Sequence, residues 1–209
     1  MTKFLVVFDV DSTLINDEAI ELLAARAGKR EEVAEVTERA MRGELDFEAS
    51  LRQRVLTLKG LNASVLEEVS RELSPTKGAK ELIAAIHSRG GKAAAVSGGF
   101  IQLLAPVREK LGFDIERANT LEVVDGKLTG QVIGKVIDRQ AKADALLEWA
   151  DLLAVEQSKT IAVGDGANDL GMMEIAGLSV AFCAKPVVQQ KAKIALNERD
   201  LSLLIQLLP

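Results

Sequence analysis

The 209-residue sequence contains one cysteine and one histidine, and each scarcity excludes something. A single thiol rules out an internal disulfide. Cys183, in Val180-Ala181-Phe182-Cys183, has no preceding basic neighbour to activate it and reads as a small core residue, not a nucleophile. His87 lies on a helical pattern far from every motif and reads as a surface residue without a role. There is no run of Lys or Arg and the formal net charge is −5, which argues against nucleic acid as the main partner. The N-terminal apolar stretch is short and is interrupted by Asp9, so neither a signal peptide nor a membrane anchor is expected, and cytoplasmic residence is the default. Internal repeats and low-complexity segments are also missing. What remains is ordinary globular material, 48% apolar and 27% charged, long enough for one large domain or a core with a smaller insert.

The run Phe4-Leu5-Val6-Val7 has no polar alternation, as expected of a strand covered on both faces. Similar runs at Ala93–Val96, Thr160–Val163 and Ser179–Phe182 are separated by helical patterns with glycine stops, such as Ala79–Arg89 before Gly90-Gly91. Alternating strand and helix predicts an α/β domain with a mainly parallel sheet. Thr120–Val124 and Leu128–Ile133, joined by Asp125-Gly126-Lys127, predict an antiparallel β-hairpin added to it. From Ile15 to Ser74 the alternation stops. Four helical patterns follow one another there: Asp17–Ala27, Glu31–Arg42, Phe47–Lys59 and Ala63–Leu73. Asp46 and Asn62 serve as N-caps and Gly28, Gly43 and Gly60 as stops. The expected organisation is a core of residues 1–14 and 75–209 with a helical insert, 15–74, after the first strand. Pro106, inside the helical pattern Phe100–Leu111, should kink or restart that helix.

The chemistry-bearing residues fall at strand ends. Asp9 and Asp11 stand together where the first strand stops, a like-charge pair that a divalent cation or a retained proton would relieve. Gly164-Asp165-Gly166-Ala167-Asn168-Asp169 follows the strand Thr160–Val163; taken alone it also reads as a helix-capping turn, but Asp165 and Asp169 are hard oxygen ligands suited to Mg²⁺. In open α/β sheets such clusters converge beyond the carboxyl ends of the strands. Ser97-Gly98-Gly99, after Ala93–Val96 and before a helical pattern, offers a hydroxyl and free N–H groups as an anion seat at a helix N-terminus. Lys142 shares a helical stripe with Leu146, Trp149 and Leu153. Its stem either snorkels along that face or, with several carboxylates and an anion seat nearby, points its ammonium inward as a charge clamp, the reading favoured here. In the insert, Arg54 falls within the apolar stripe of Phe47, Leu51, Val55 and Leu58, whereas Arg52 points away. Spacing alone leaves Arg54 open between a substrate carboxylate and an internal salt bridge. Glu18, in the first turn of the first insert helix, is explained by the helix dipole without any ligand.

In that order Asp9-Val10-Asp11-Ser12-Thr13, Ser97-Gly98-Gly99, Lys142 and Gly164 to Asp169 resemble the four motifs of the haloacid dehalogenase superfamily of phosphotransferases. Met41-Arg42-Gly43, the stretch from Phe47 to Val55 and Ala181-Phe182-Cys183-Ala184-Lys185-Pro186 are similar to its phosphoserine phosphatase family. Val10 departs from the aromatic residue usual there, which touches packing and not chemistry. Some members carry an extra regulatory domain, and none is expected within these 209 residues. The resemblance implies a Rossmann-like core with a helical cap and Mg²⁺ held by Asp9, Asp165 and the backbone carbonyl of Asp11, with Asp169 around the metal. It also implies Asp9 as nucleophile and Asp11 as general acid and base, with Ser97, Gly98, Lys142 and Asn168 holding the phosphoryl group. Glu18 and Arg54 would take the amino and carboxylate groups of O-phospho-L-serine, while Met41 and Phe47 pack around it. The implied reaction is hydrolysis to serine, the last step of serine biosynthesis. Phosphoryl transfer to an alcohol such as homoserine, or hydrolysis of another small phosphate ester, are the alternatives. A non-catalytic phosphoamino-acid sensor would be expected to have lost Asp9, Asp11 or Lys142, and all three are present. Nothing in the pattern selects between a monomer and a homodimer.

Overall fold

The computed structural model describes residues 1–41 and 44–209, with all side chains among them except those at 38, 40 and 41. The Met41 side chain, expected to pack around a substrate, thus lies outside the described residues, as do Arg42 and Gly43.

The strands are β1 (Leu5–Phe8), β2 (Lys92–Phe100), β3 (Ile115–Val124), β4 (Lys127–Ile133), β5 (Thr160–Gly164), β6 (Leu178–Phe182) and β7 (Ile194–Leu196). They form one sheet in the order β4-β3-β2-β1-β5-β6-β7, parallel throughout except for the pair β3 and β4. The helices that follow the insert are α5 (Ala79–Ser88), α6 (Leu104–Leu111), α7 (Arg139–Leu152), α8 (Leu170–Ile175) and α9 (Pro186–Gln189), numbered after the four insert helices α1 (Ala19–Arg26), α2 (Arg30–Met41), α3 (Phe47–Leu56) and α4 (Ser64–Glu72).

The unpatterned apolar run has a simple cause. Val6 and Phe8 pack with Leu82, Ile83 and Ile86 of α5 and Val107 of α6 on one face of the sheet. Leu5 and Val7 pack with Ala145, Leu146 and Trp149 of α7 and Met172 of α8 on the other. Both faces of β1 are therefore dry, and polar alternation would bury unpaired groups. From β1 the chain moves outward to β2 and β3 on one side, then crosses to β5, β6 and β7 on the other. The strand order reverses between β1 and β5, and the crevice beyond their carboxyl ends is where ligands bind in open α/β sheets.

The insert leaves and re-enters through a paired neck. Ile15 bridges Pro75 in antiparallel fashion, Asn16 N donates to Ser74 O at 2.9 Å, and Thr76 N donates to Leu14 O at 2.9 Å. Asp17 Oδ2 also accepts from both Ser74 N (2.7 Å) and Ser74 Oγ (2.8 Å). Asp46 caps α3 through Ala49 N at 2.7 Å, as expected. Asn62 acts one residue early, accepting from Ser64 N at 3.0 Å while Ala63 occupies the cap position of α4.

Several boundaries differ from expectation for physical reasons. β3 is longer than the predicted hairpin arm, since its first half pairs in parallel with β2 and only its second half meets β4. The connecting residues Asp125 (φ +49°) and Gly126 (φ +72°) both adopt the left-handed conformation that suits a tight hairpin turn. Pro106 restarts its helix: Phe100 still belongs to β2, a short 3₁₀ turn covers Ile101–Leu103, and Pro106 sits in the first turn of α6, where a missing N–H costs nothing. β7 is three residues long and carried no distinct pattern in the sequence. His87 is exposed and pairs with Asp114 Oδ2 at 2.8 Å, away from the crevice. No helix among the described residues is long and apolar enough to cross a membrane.

Candidate active site

Asp9 and Asp165 immediately follow β1 and β5, the two strands flanking the crevice, and Asp9 N donates to Val163 O at 2.9 Å. After Asp9 the chain makes a tight loop, Val10–Leu14, in which Ser12 takes φ +58° and Ile15 N reaches back to Val10 O at 3.0 Å. This loop turns Asp11 back over the strand ends. Its Oδ1 accepts from Ala19 N at 2.8 Å, at the start of α1, and its Oδ2 accepts from Ser97 Oγ at 3.2 Å. Burial raises the pKa of Asp11 against the pull of those two donors.

Lys142 is completely buried on α7, as its apolar stripe predicts. Its ammonium donates to Asp9 Oδ1 and to Asp169 Oδ1, the latter at 2.6 Å. The other oxygen of Asp169 accepts from the backbone N–H groups of Asp165 (3.2 Å) and Gly166 (3.0 Å). Asp169 thus holds both the ammonium and the loop that presents Asp165. Gly164 is required beside it, because a Cβ there would overlap the Asp169 carboxylate. Burial alone would lower the Lys142 pKa, but the carboxylates of Asp169 and Asp9 outweigh it and raise the pKa above its usual value.

The carboxylates of Asp9, Asp165 and Asp169 offer oxygens within 4.8 Å of one another. Fully ionised, three carboxylates and one ammonium leave two negative charges in a largely dry pocket. Both acids resist ionisation: burial and the neighbouring Asp169 push Asp9 well above its ordinary pKa despite Lys142, and push Asp165 up to about 6. Two excess negative charges on hard oxygens are what a divalent cation would neutralise, so the residues fit such an ion.

Ser97-Gly98-Gly99 departs from its expected setting. It does not stand at a helix N-terminus but lies inside β2, where the register to β3 slips between Val96 and Phe100. This irregularity frees the backbone from the ladder. Ser97 Oγ accepts from Gly99 N at 2.7 Å while donating to Asp11. Gly98 O is held by Asn119 Nδ2 at 2.8 Å, and Asn119 Oδ1 in turn accepts from Ile137 N at 2.8 Å, just before α7. Asn119 was not anticipated: a polar residue midway along a strand gives no sign that it spaces β2 against the helix bearing Lys142. Phe47 closes over Gly98, where a Cβ would sit 2.9 Å from Phe47 Cζ.

Core and insert together enclose a cavity of about 680 Å³. Asp9, Asp11, Gly98, Asp165 and Asn168 line it from the sheet, and Glu18, Phe47, Ser50 and Arg54 from the insert. Lys142, Asp169 and Ser97 sit directly behind this lining, hydrogen-bonded to Asp9, to the Asp165 backbone and to Asp11 respectively. Arg54 Nε donates to Ser50 O at 3.3 Å, and its guanidinium forms no ion pair with any described residue. Among the described residues, the internal salt bridge left open by spacing is therefore not made. Arg52 points outward and pairs with Glu48 at 2.7 Å. Glu18 is the N-cap of α1, one position before the expected first turn, and it makes no capping bond. Its carboxylate instead accepts from Ser12 Oγ at 2.6 Å and faces the cavity, with burial and nearby Asp11 raising its pKa to about 7. Lys185 and Arg139 also line the cavity and were not singled out from the sequence, since exposed cations carry no periodic signal.

The model of the haloacid dehalogenase-like hydrolase family matches residues 6–174. The chain belongs to the haloacid dehalogenase-like hydrolases. Among these, it is 50% identical to a phosphoserine phosphatase of Streptococcus thermophilus, covering 99% of this chain and 96% of that one. It is 47% identical to a phosphoserine phosphatase of Methanocaldococcus jannaschii over 95% of this chain and 94% of that one. A phosphoserine phosphatase of Streptomyces coelicolor is 54% identical over 98% of this chain, which spans half of that longer protein. Two solved structures of the same fold, a phospho-aspartyl intermediate analogue of phosphoserine phosphatase and a substrate-bound phosphoserine phosphatase complex, each align with a TM-score of 0.94 over both full chains, at 45% and 44% identity.

Proposed function

We propose that this haloacid dehalogenase-like hydrolase cleaves O-phospho-L-serine to L-serine and phosphate, using Mg²⁺ and an aspartyl-phosphate on Asp9. The observation that carries the reading is one cavity with two unlike walls. One wall has paired carboxylates with a buried ammonium behind them; the other has a guanidinium with no ion pair among the described residues, beside a carboxylate. The first suits phosphoryl transfer and the second suits the zwitterionic end of an amino acid.

In this reading an Asp9 carboxylate oxygen attacks phosphorus and the bond from phosphorus to the serine oxygen breaks, while Asp11 delivers its proton to that oxygen. Water then attacks the aspartyl-phosphate and gives its proton to Asp11, and the bond to Asp9 breaks to release phosphate. Splitting the displacement in two lowers each barrier. The raised pKa of Asp11 supports its carrying the first proton, and its bonds to Ala19 N and Ser97 Oγ support its aim. Lys142 aligns Asp9 and opposes the protonation that burial and Asp169 favour. Ser97, Gly98 and Asn168, together with Lys142, would hold the phosphoryl oxygens as charge spreads over them. Asp9, Asp165 and the backbone carbonyl of Asp11 would hold Mg²⁺, with Asp169 at one remove because both its oxygens already accept hydrogen bonds. When bound, that ion supplies charge neutralisation between the anionic nucleophile and the anionic phosphate. Arg54 would take the substrate carboxylate and Glu18 its ammonium. Residues 15–74 would act as a cap, with Phe47 sealing the phosphate end from water.

The test is phosphate release in Mg²⁺ from phosphoserine, phosphothreonine, phosphoethanolamine and a sugar phosphate, with homoserine added in parallel. The reading expects phosphoserine to lead by its carboxylate and amine, with free phosphate as product. Equal rates across the panel would defeat the substrate assignment, and phosphohomoserine as main product would favour the transferase alternative.

A further inference from the structure

Among the described residues, three buried side-chain atoms lack a hydrogen-bond partner: Thr13 Oγ1, Ser50 Oγ and Glu116 Oε2. Of these residues only Ser50 lines the cavity. It lies on α3 three residues after Phe47 and four before Arg54, so the ring, the hydroxyl and the guanidinium follow one another along one helical face. Ser50 is 2% exposed. A serine inside a helix ordinarily relieves its hydroxyl by bonding the carbonyl one turn back. Here Asp46 O accepts the Ser50 backbone N–H at 3.0 Å, as in any helix, but the hydroxyl makes no bond to it or to any other described acceptor. Leaving a buried hydroxyl unpaired destabilises the protein, and an alanine would avoid it.

We propose that Ser50 is a specificity residue for the substrate carboxylate: its hydroxyl turns to donate to the carboxylate seated on Arg54. This inference rests on the assignment of phosphoserine as substrate. Arg54 Nε is engaged with Ser50 O, which fixes the guanidinium relative to this turn of α3 and leaves its two terminal nitrogens for the incoming anion. A carboxylate held there has a free lone pair on the side of Ser50, and the donation satisfies both partners only in the complex. Because the bond forms equally in ground and transition states, it acts on KM and not on kcat.

The test compares wild type with Ser50→Ala and Ser50→Thr, using phosphoserine and phosphoethanolamine, which lacks the carboxylate. For Ser50→Ala the expected result is about a tenfold rise in KM for phosphoserine with kcat kept, no change for phosphoethanolamine, and an unchanged or raised melting temperature in the free enzyme. Ser50→Thr, which keeps the hydroxyl, should recover part of the phosphoserine KM. An equal loss on both substrates, or a lowered melting temperature with the substrate preference intact, would mark Ser50 as merely structural and overturn the proposal. If wild type itself fails to prefer phosphoserine, the substrate assignment falls first and this inference with it, a result distinct from a wild-type preference that Ser50→Ala leaves untouched.

Discussion

The acidic crevice should make the metal-free protein less stable as pH rises through the weakly acidic range, the reverse of what paired surface carboxylates do. Asp165 titrates near 6 in the folded chain against 3.8 ordinarily, because burial and Asp169 favour its neutral form. Between those values the folded state binds more protons than the unfolded one, so unfolding becomes easier with rising pH. The full displacement is worth about 3 kcal/mol for Asp165 at neutral pH, with Asp9 and Asp11 adding in the same direction. Asp114 and Asp200 are lowered by Lys92 and Lys77, and their contribution is lost only at still more acid pH, below about 4. Urea unfolding of chelator-stripped protein from about pH 4.5 to pH 7.5 should therefore show falling stability. Saturating Mg²⁺ should restore it at the upper end, through binding to the folded state alone. Asp165→Asn should flatten the slope and weaken the Mg²⁺ response together. A metal-free stability that rises steadily over this range, or an Asp165→Asn variant with an unchanged slope, would refute the electrostatic account of the crevice.

Two substitutions probe the supports of the site. Gly164→Ala places a methyl group onto a buried carboxylate that cannot retreat without releasing Lys142, so it should cost about 2–4 kcal/mol in chemical denaturation and nearly all turnover; wild-type stability would show that Asp169 has room to move. Arg54→Ala should cut kcat/KM for phosphoserine by about a hundredfold while sparing phosphoethanolamine, and equal losses on both would remove the guanidinium from carboxylate recognition.

Much of the crevice was legible because burial writes itself into sequence. Phe4 to Phe8 and Ile161 to Val163 are apolar without alternation since both sheet faces are covered, so the acidic residues that follow them stand out. Lys142 was partly readable for the same reason: one cation in an otherwise apolar stripe either snorkels or points inward, and the structure buries it completely. The setting of Ser97 to Gly99 was not readable, because a glycine pair after a strand marks a helix entry and a strand irregularity alike. Asn119 and Ser50 carry no local signal either. What matters about each is a long-range relation, Gly98 to Ile137 for one and a missing partner for the other, and neither relation exists until the chain is folded.

The most direct test of the central claim is to mix enzyme, Mg²⁺ and phosphoserine, quench within the first turnovers, and locate covalently bound phosphoryl by peptide mass spectrometry. The account predicts one phosphoryl group on the peptide containing Asp9, labile to hydroxylamine, and none in Asp9→Asn, which should be inactive. Full turnover by Asp9→Asn, or a phosphoryl group on any other residue, would contradict it.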